Sequence, residues 1–248
     1  MKQFKAATTR VLAGALIGLG AAAVSSSAMA AAAITPPEPS AIPTRWELDL
    51  RVRPLRVVEM VVPGQGRQAF YFTTFLVTNN STQPEYENLF FAPMFELATD
   101  KGELIASGRG VPREVTQELL KRLRNPFLQD QISVIGPLQA GEEYAREGLV
   151  VWPVGRTDVN EVTVHFIGFS GETKTVQTRD AETGEPREVV LRKTYMLQYD
   201  APGMLVDRRA ASEGGRVLRQ RMNRWIMREP GTIIEAAPEG GASASRGG

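Results

Sequence analysis

The chain has 248 residues, of which 42% are hydrophobic and 23% are charged, and its formal net charge is +1. This length accommodates one or two domains, and the composition excludes a collagen-like, coiled-coil or wholly disordered chain. The chain contains no cysteine and one histidine. Disulfides, cysteine nucleophiles and thiolate zinc sites are therefore excluded, as is any site that requires two imidazoles.

The first thirty residues have the layout of a secretory signal peptide. Three basic residues lie among the first ten, and an apolar run follows from 11 to 24. Ala28-Met29-Ala30 supplies the small residues that a signal peptidase recognises. The apolar run is shorter than the roughly 20 residues that span a bilayer. We therefore expect cleavage after Ala30, with an uncleaved N-terminal anchor as the alternative. The mature protein is expected to be periplasmic, bound to the cell envelope or extracellular, without a transmembrane helix.

Composition divides the mature chain into four parts. Residues 31–44 contain four prolines and are predicted to form an extended spacer, whereas the Ala-, Pro-, Gly- and Ser-rich residues 230–248 are predicted to be a disordered tail. Between them lie a predicted β-sandwich domain, 45–206, and a basic segment, 207–229. Residues 31–206 carry a net charge of −5 and residues 207–248 carry +3. The nearly neutral total therefore conceals an acidic domain with a basic end.

The β domain is predicted from runs with a period of two and from segments rich in aromatic and β-branched residues. Trp46, Leu48, Leu50 and Val52, for example, alternate with charged residues. The predicted strands are 45–53, 55–62, 69–78, 89–99, 102–107, 132–135, 149–152, 159–169, 174–179 and 188–199. Turn residues at 79–82, 100–102 and 182–184 are typical of the connections between such strands.

One segment inside the domain has a helical period instead. Val115, Leu119, Leu120 and Leu123 fall on one helical face after Pro112, and Asn125-Pro126 ends the pattern. Acidic residues lie early in this segment and basic residues late, as the helix dipole favours. The sequence therefore predicts one short helix inserted between strands.

The segment 70–102 resembles the early strands of bacterial exported immunoglobulin-like domains. In these domains a strand ends in a Thr-Asn-Asn turn and leads to a Phe-x-Leu strand and an Asp-x-Gly turn. Residues 136–142, which precede the strand at 149–152, look like a later connector of the same family. The resemblance implies an all-β fold, an immunoglobulin-like antiparallel β-sandwich, to which the periodicity adds the inserted helix and a C-terminal helix. It implies no activity.

Searches for catalytic motifs predict no catalytic residue, no metal site and no cofactor. The Gly-x-Gly-x-x-Ala run at 64–69 is followed by a strand, which favours a hairpin loop over a nucleotide site. The run 168–172 lacks the second glycine of a serine hydrolase elbow. His165, the one possible base, is expected to be a surface residue on a polar sheet face. The acidic loop 180–185 is predicted to be a solvated turn rather than a calcium site.

The basic segment 207–229 is the one unusual feature. If residues 215–228 are helical, Leu218, Met222 and Trp225 lie on one side. Arg221, Arg224 and Arg228 then form an adjacent basic row. Either this helix docks on the sandwich with solvated arginines, or it binds an anionic partner with Trp225 at the centre. That partner would be an envelope protein, an anionic lipid surface or an acidic polysaccharide, and no nucleic-acid motif accompanies the row.

These observations predict an exported, non-enzymatic envelope protein with a structural or interaction role. Two alternatives stay open. One is a carboxylate-dependent hydrolase of envelope glycans, because a sequence does not reveal the distance between two carboxyl groups. The other is a sugar-binding module, which would present a row of exposed aromatic side chains on one sheet face. The sequence indicates neither the ligand nor the oligomeric state.

Overall fold

The computed structural model describes residues 36–180, 183–201 and 215–232. Outside these ranges lie the predicted signal peptide, residues 31–35 of the predicted spacer, residues 202–206 of the predicted β domain, residues 207–214 of the basic segment and most of the predicted tail. The described strands are β1 (Asp49–Val52), β2 (Arg56–Val62), β3 (Gly66–Thr78), β4 (Asn88–Phe91), β5 (Met94–Thr99), β6 (Leu104–Ala106), β7 (Leu128–Asp130), β8 (Gly136–Gln139), β9 (Arg146–Pro153), β10 (Glu161–Ile167), β11 (Thr173–Arg179), β12 (Pro186–Asp200), β13 (Arg216–Val217) and β14 (Arg219–Arg228). The described ranges hold one α-helix, α1 (Arg113–Leu123).

The strands form two six-stranded sheets and one two-stranded sheet. In the first sheet the order is β13-β2-β3-β9-β7, and β1 also pairs with β3. In the second sheet the order is β11-β12-β10-β5-β6, and β14 also pairs with β12. The pair β4–β8 forms the small sheet. Every pairing is antiparallel except that of β7 with β9. The predicted mostly-β class, with several antiparallel sheets and an inserted helix, is therefore confirmed.

The main core consists of side chains that both six-stranded sheets contribute. Val162, Val164 and Phe166 alternate along β10 and are all buried in this core, as the period of two predicted. Phe75, Phe95, Phe166 and Phe169 contact one another with ring centroids 5.2–6.1 Å apart. Such edge and tilted contacts between rings add to the stabilisation from burial itself.

Helix α1 covers the other face of the first sheet, where it forms a second apolar cluster. Val115 and Leu119 are buried there against side chains of β2, β3 and β9. The helix ends at Leu123, and the next residue, Arg124, has a left-handed backbone conformation with φ 51°. The predicted apolar face of this helix and its end before Asn125-Pro126 are confirmed.

The predicted C-terminal helix is wrong, because the described part of that segment forms β13 and β14. β13 pairs with β2 of the first sheet, and the Leu218 N–H then donates to the Leu55 carbonyl. β14 continues along β12 of the second sheet over nine Cα pairs, from Arg219 to Arg228. The segment forms a strand because its backbone hydrogen-bonds along the edge of β12. Such non-local pairing overrides a helical pattern of apolar residues.

Two of the strand predictions also need correction. Residues 132–135 form a turn, in which Asp130 Oδ1 accepts the backbone N–H groups of Ile132 and Ser133. The strand nearby is β8, which begins at Gly136. The single strand predicted over 89–99 is divided into β4 and β5, which belong to different sheets, at Ala92-Pro93. Proline cannot donate to a ladder, so the division falls where a continuous strand is least stable.

The turn between β5 and β6 supports a prediction about Gly102. This residue has φ +78°, a conformation that costs a residue with a Cβ about 1–2 kcal/mol. Gly102→Ala should therefore lower the free energy of unfolding by about 1 kcal/mol in urea denaturation. The control is Gly155→Ala, since Gly155 lies outside the left-handed region and its added Cβ would meet only the end of the Glu103 side chain. Equal stability of the two variants would contradict the prediction.

Candidate functional site

The four residues predicted to bind a partner all lie on β14, but the strand separates them. Trp225 lies opposite Tyr195 of β12, and its half-buried ring packs against the main core. Arg224 and Arg228 lie opposite Met196 and Arg192 and so occupy the other face of the sheet. The single basic row expected on a helix therefore does not form.

Arg228 is part of the folded interior. Its side chain is 0% exposed, and Nη1 lies 2.6 Å from Glu96 Oε2. Its other terminal nitrogen donates to the Thr232 carbonyl, and the Gly231 N–H donates to Glu96 Oε1 at 3.0 Å. The guanidinium thus fixes the turn after β14 against β5. We conclude that Arg228 stabilises the fold and is unavailable to a partner.

Trp225 is committed to contacts within the molecule as well. Its ring centroid lies 5.1 Å from that of Tyr195, and Lys193 Nζ lies 5.4 Å from the Trp225 ring. A cation at this distance from an indole face is attracted by the ring electrons. Trp225 therefore joins β14 to β12 and does not anchor the centre of an exposed surface.

The first half of β14 is the exposed part of the strand. Arg219 Nε lies 2.6 Å from Asp200 Oδ2, and Arg221 Nη1 lies 2.7 Å from Glu161 Oε2. Arg221 is 50% exposed and Arg219 is 82% exposed. Arg224 is exposed, and it forms no ion pair or side-chain hydrogen bond with another described residue. Two of the predicted residues, Arg221 and Arg224, therefore remain candidates.

Two further residues, Arg219 and Met222, belong with this exposed half. Met222 is 37% exposed, although the helical pattern placed it on a docking face. Between Met222 and Gln220 the register with β12 shifts, so Arg221 is the extra residue of a β-bulge. No single period groups these side chains, because the bulge at Arg221 interrupts the alternation along the strand. We call Arg219, Arg221, Met222 and Arg224 the basic edge.

The basic edge lies on a strand with one open side. β14 pairs with β12, and no other described strand pairs with it. A cavity of about 490 Å³ lies where the chain crosses between sheets and is lined by Asn160, Asp200 and Arg216–Arg219. Open backbone N–H and carbonyl groups along such an edge can pair with another extended chain.

His165 is not the surface residue predicted from its polar neighbours. It lies on the expected face of β10, opposite Glu96 and Met196, but it is 2% exposed. Burial, with a smaller contribution from the charge of Arg228, lowers the pKa of His165 to about 3. Its Nδ1 has no hydrogen-bond partner among the described residues. The imidazole is therefore neutral and enclosed near pH 7.

The other candidate motifs form local turns. Ser170 Oγ donates to the Trp46 carbonyl and accepts the Glu172 N–H. Asp180 Oδ1 accepts the backbone N–H of Thr183 at 3.0 Å. Gly64 and Gly66 have φ +75° and +78° in the hairpin before β3. Within 36–180, 183–201 and 215–232, no three acidic or histidine side chains are grouped as metal ligands.

Two pairs of carboxylates bear on the hydrolase alternative, and each pair has a cation between its members. Lys193 Nζ lies 2.7 Å from Glu47 Oε2 and 3.3 Å from Glu172 Oε2, while Arg221 contacts both Glu161 and Asp200. Burial alone raises the pKa of Glu172, but hydrogen bonds from Ser40 and the neighbouring Lys193 lower it overall. A glycosidase acid requires a raised pKa, so Glu172 has the opposite property.

The aromatic side chains bear on the sugar-binding alternative. Among the described residues, the large exposed aromatic side chains are Phe90, Phe127 and Tyr144. Phe90 lies on β4, Phe127 lies just before β7, and Tyr144 lies in a 3₁₀ turn after β8. They therefore do not form a row along one strand or one sheet face.

The geometry defines a mostly β protein with an exposed basic edge strand. Comparisons with protein-family models, with curated protein sequences and with solved structures find no match to this chain. No helix within the described ranges has the length and hydropathy needed to cross a membrane.

Proposed function

We propose that this chain is an exported, non-enzymatic envelope protein, built as an immunoglobulin-like β-sandwich, that binds an acidic segment of another protein along β14. The observation that carries the proposal is the basic edge on a strand whose second side has no described strand partner. The signal-peptide pattern and the absence of cysteine support export. The core shared by two facing sheets supports the sandwich.

The ion pairs of the basic edge are easily exchanged. Arg219 and Arg221 share the carboxylates of Asp200 and Glu161, and Arg224 brings the surface to three arginines against two acids. Exposed ion pairs contribute about 0–1 kcal/mol each. Carboxylates of a partner can therefore replace the internal ones at little cost, and Arg224 gives the surface an excess positive charge.

The open strand edge favours a polypeptide over a lipid or a polysaccharide. A partner strand satisfies the backbone N–H and carbonyl groups of β14, and its side chains meet the arginines at alternate positions. Two copies of this chain would instead bring like charges together, and the bulge at Arg221 further disfavours pairing between identical edges. The same features therefore favour binding of an acidic strand and disfavour self-association.

A photo-crosslinking experiment tests this surface. Benzoylphenylalanine replaces Gln220 or Met222 in the full chain, expressed in its native envelope, and the crosslinked partner peptide is mapped by mass spectrometry. We expect an acidic, extended partner segment. Reversal of the charges in R219E/R221E/R224E should reduce crosslinking by about tenfold or more, equivalent to roughly 1.4 kcal/mol.

The matched control is R51E/R67E, which reverses two exposed arginines of the first sheet. This variant should crosslink as well as the original chain. Crosslinking that survives reversal of the basic edge would overturn the proposal. Arginine-dependent binding of the purified protein to phosphatidylglycerol vesicles, with no crosslinked protein, would overturn it in favour of a lipid surface.

A further inference from the structure

The proline-rich segment that precedes β1 contacts the second sheet. We call residues 36–43 the strap, and the side chains of Glu172, Lys174 and Lys193 the cradle. Residues 31–44 were predicted to be a spacer because they cannot form a core of their own. The strap nevertheless forms hydrogen bonds with side chains about 130 to 150 residues away in the sequence.

The cradle binds the strap through its backbone. The Ser40 N–H donates to Glu172 Oε1 at 2.9 Å, and the Ser40 carbonyl accepts from Lys193 Nζ at 3.2 Å. Lys174 Nζ donates to the Glu38 carbonyl. All three contacts involve a charged side chain and a main-chain atom, which makes them stronger than hydrogen bonds between neutral groups. The recognition therefore depends little on the strap's side chains.

The cradle also has contacts besides those with the strap. Glu172 and Lys193 are each 3% exposed and lie 3.3 Å apart. Lys193 also contacts Glu47 at 2.7 Å and lies over the Trp225 ring. These contacts come from residue 47 near the start of the domain, from β12 and from β14. The charged groups are thus preorganised for an extended backbone, which reduces the entropy lost on binding.

The strap leaves part of its surroundings unfilled. A cavity of about 280 Å³ lies beside Pro36 and Pro37, with Val176, Val189 and Leu191 of the β11–β12 hairpin among its lining residues. Farther along the strap, Ile42 is 80% exposed. The strap is therefore attached by its main chain, while an apolar surface beside its first prolines has room for more side-chain atoms.

We propose that the cradle and this cavity form a binding site for an extended, proline-containing polypeptide segment, which the chain's own strap occupies as an intramolecular ligand. Proline-rich segments adopt an extended helix with an unbonded backbone, so their N–H and carbonyl groups are free for the cradle. Such segments are also stiff and lose little entropy on binding. This site is distinct from the basic edge, and the proposal does not depend on it.

The first experiment uses two substitutions at one position. Ser40→Pro removes the N–H that Glu172 accepts, whereas Ser40→Ala retains it. A labelled synthetic peptide of residues 36–46 is titrated into each full-length variant. The tethered strap competes at an effective concentration in the millimolar range, so we expect the Ser40→Pro protein to bind the peptide about tenfold or more tightly than the original chain. Ser40→Ala should behave as the original chain does.

The matched control is the same peptide with proline at position 40, which should not bind either variant. The proposal is overturned if Ser40→Pro increases proteinase K cleavage within 36–43 but does not bind the unmodified peptide, because the strap would then be only a structural element. It is also overturned if Ser40→Pro and Ser40→Ala release the strap equally.

A second measurement releases the strap without changing residues 36–43. A protease recognition sequence is inserted between Pro43 and Thr44, which are exposed, and the folded protein is then cut. We expect the cut strap to exchange with excess labelled peptide, and Glu172→Gln to weaken binding of that peptide by about tenfold, as expected for loss of a charge-assisted hydrogen bond. A cut strap that never exchanges, or peptide binding unchanged by Glu172→Gln, would overturn the proposal.

Discussion

Arg228→Ala should lower the free energy of unfolding by about 3 kcal/mol, because removal of one partner from a buried ion pair leaves the other without compensation. Glu96 would lose the guanidinium that lies 2.6 Å from its Oε2, and its side chain is only 13% exposed. The substitution also releases the Thr232 carbonyl, so the turn after β14 would lose its attachment to β5. Urea denaturation at pH 7.5 measures the effect.

Arg224→Ala provides the matched control. Arg224 lies on the same strand and the same face, four residues before Arg228, and it is exposed. Its replacement should change stability by less than about 0.5 kcal/mol, as is usual for surface substitutions. The double substitution R228M/E96L should recover much of the loss, since apolar replacements for both members remove the uncompensated charge. Equal effects of Arg228→Ala and Arg224→Ala would contradict the assignment of Arg228 to the interior.

The second large effect concerns pH and His165. The pKa of His165 is about 3 in the folded protein and about 6.5 in an unfolded chain. Between these values the unfolded chain binds a proton that the folded chain does not, so stability decreases as the pH falls below 6.5. At pH 5 the loss relative to pH 8 is about 2 kcal/mol. The charged groups around His165 are Glu96 on β5, together with Arg224 and Arg228 on β14.

This effect is separable from that of Glu172. Hydrogen bonding and Lys193 lower the pKa of Glu172, so its contribution to stability is lost only below the ordinary glutamate pKa of 4.5. The interval from pH 6.5 to pH 5 therefore reports mainly on His165. His165→Leu should abolish the loss in that interval, because leucine does not titrate and leaves no unpartnered Nδ1.

Proton NMR gives a direct measurement, because the chain contains one histidine. In protein prepared without a histidine tag, the His165 ring resonance should not titrate between pH 8 and pH 5. Titration with a midpoint near 6.5 in the folded protein would show that the ring is solvated and would contradict the prediction. A shallow stability profile that is the same for the original chain and for His165→Leu would contradict it as well.

The strand that carries the basic edge also contacts the cradle. Trp225 of β14 contacts Lys193, whose Nζ hydrogen-bonds to the strap. The experiments on the two proposals nevertheless remain independent. Among the described residues, no ion pair links the reversed arginines to the cradle, and no hydrogen bond links Ser40 to β14.

Local patterns in the sequence predicted much of the fold. α1 follows the helical period because one face of this helix is buried, and the alternating Val162, Val164 and Phe166 of β10 are buried in the main core. β3 was predicted from its aromatic and β-branched residues, and both of its faces are buried. The turns at Gly64–Gly66 and at Gly102 were predicted because glycine adopts positive φ without strain. Arg221 and Arg224 were placed in a basic row by a helical pattern, and the structure shows them exposed on a strand instead.

The rest depended on partners distant in the sequence. In the segment after Gly215, the apolar residues fit a helix, and only pairing with β2 and β12 makes it a strand that crosses between sheets. The environment of each arginine then followed from its neighbours: Arg228 forms an ion pair with Glu96 and is buried, whereas Arg224 forms none with the acids that the structure describes and is exposed. His165 is likewise buried because residues distant in the sequence cover its face of the second sheet. The sequence by itself determined the periods, the turns and the basic character of the C-terminal part. Tertiary structure decided which charges are interior and which can meet a partner, because burial and ion pairing depend on non-local contacts that no local pattern specifies.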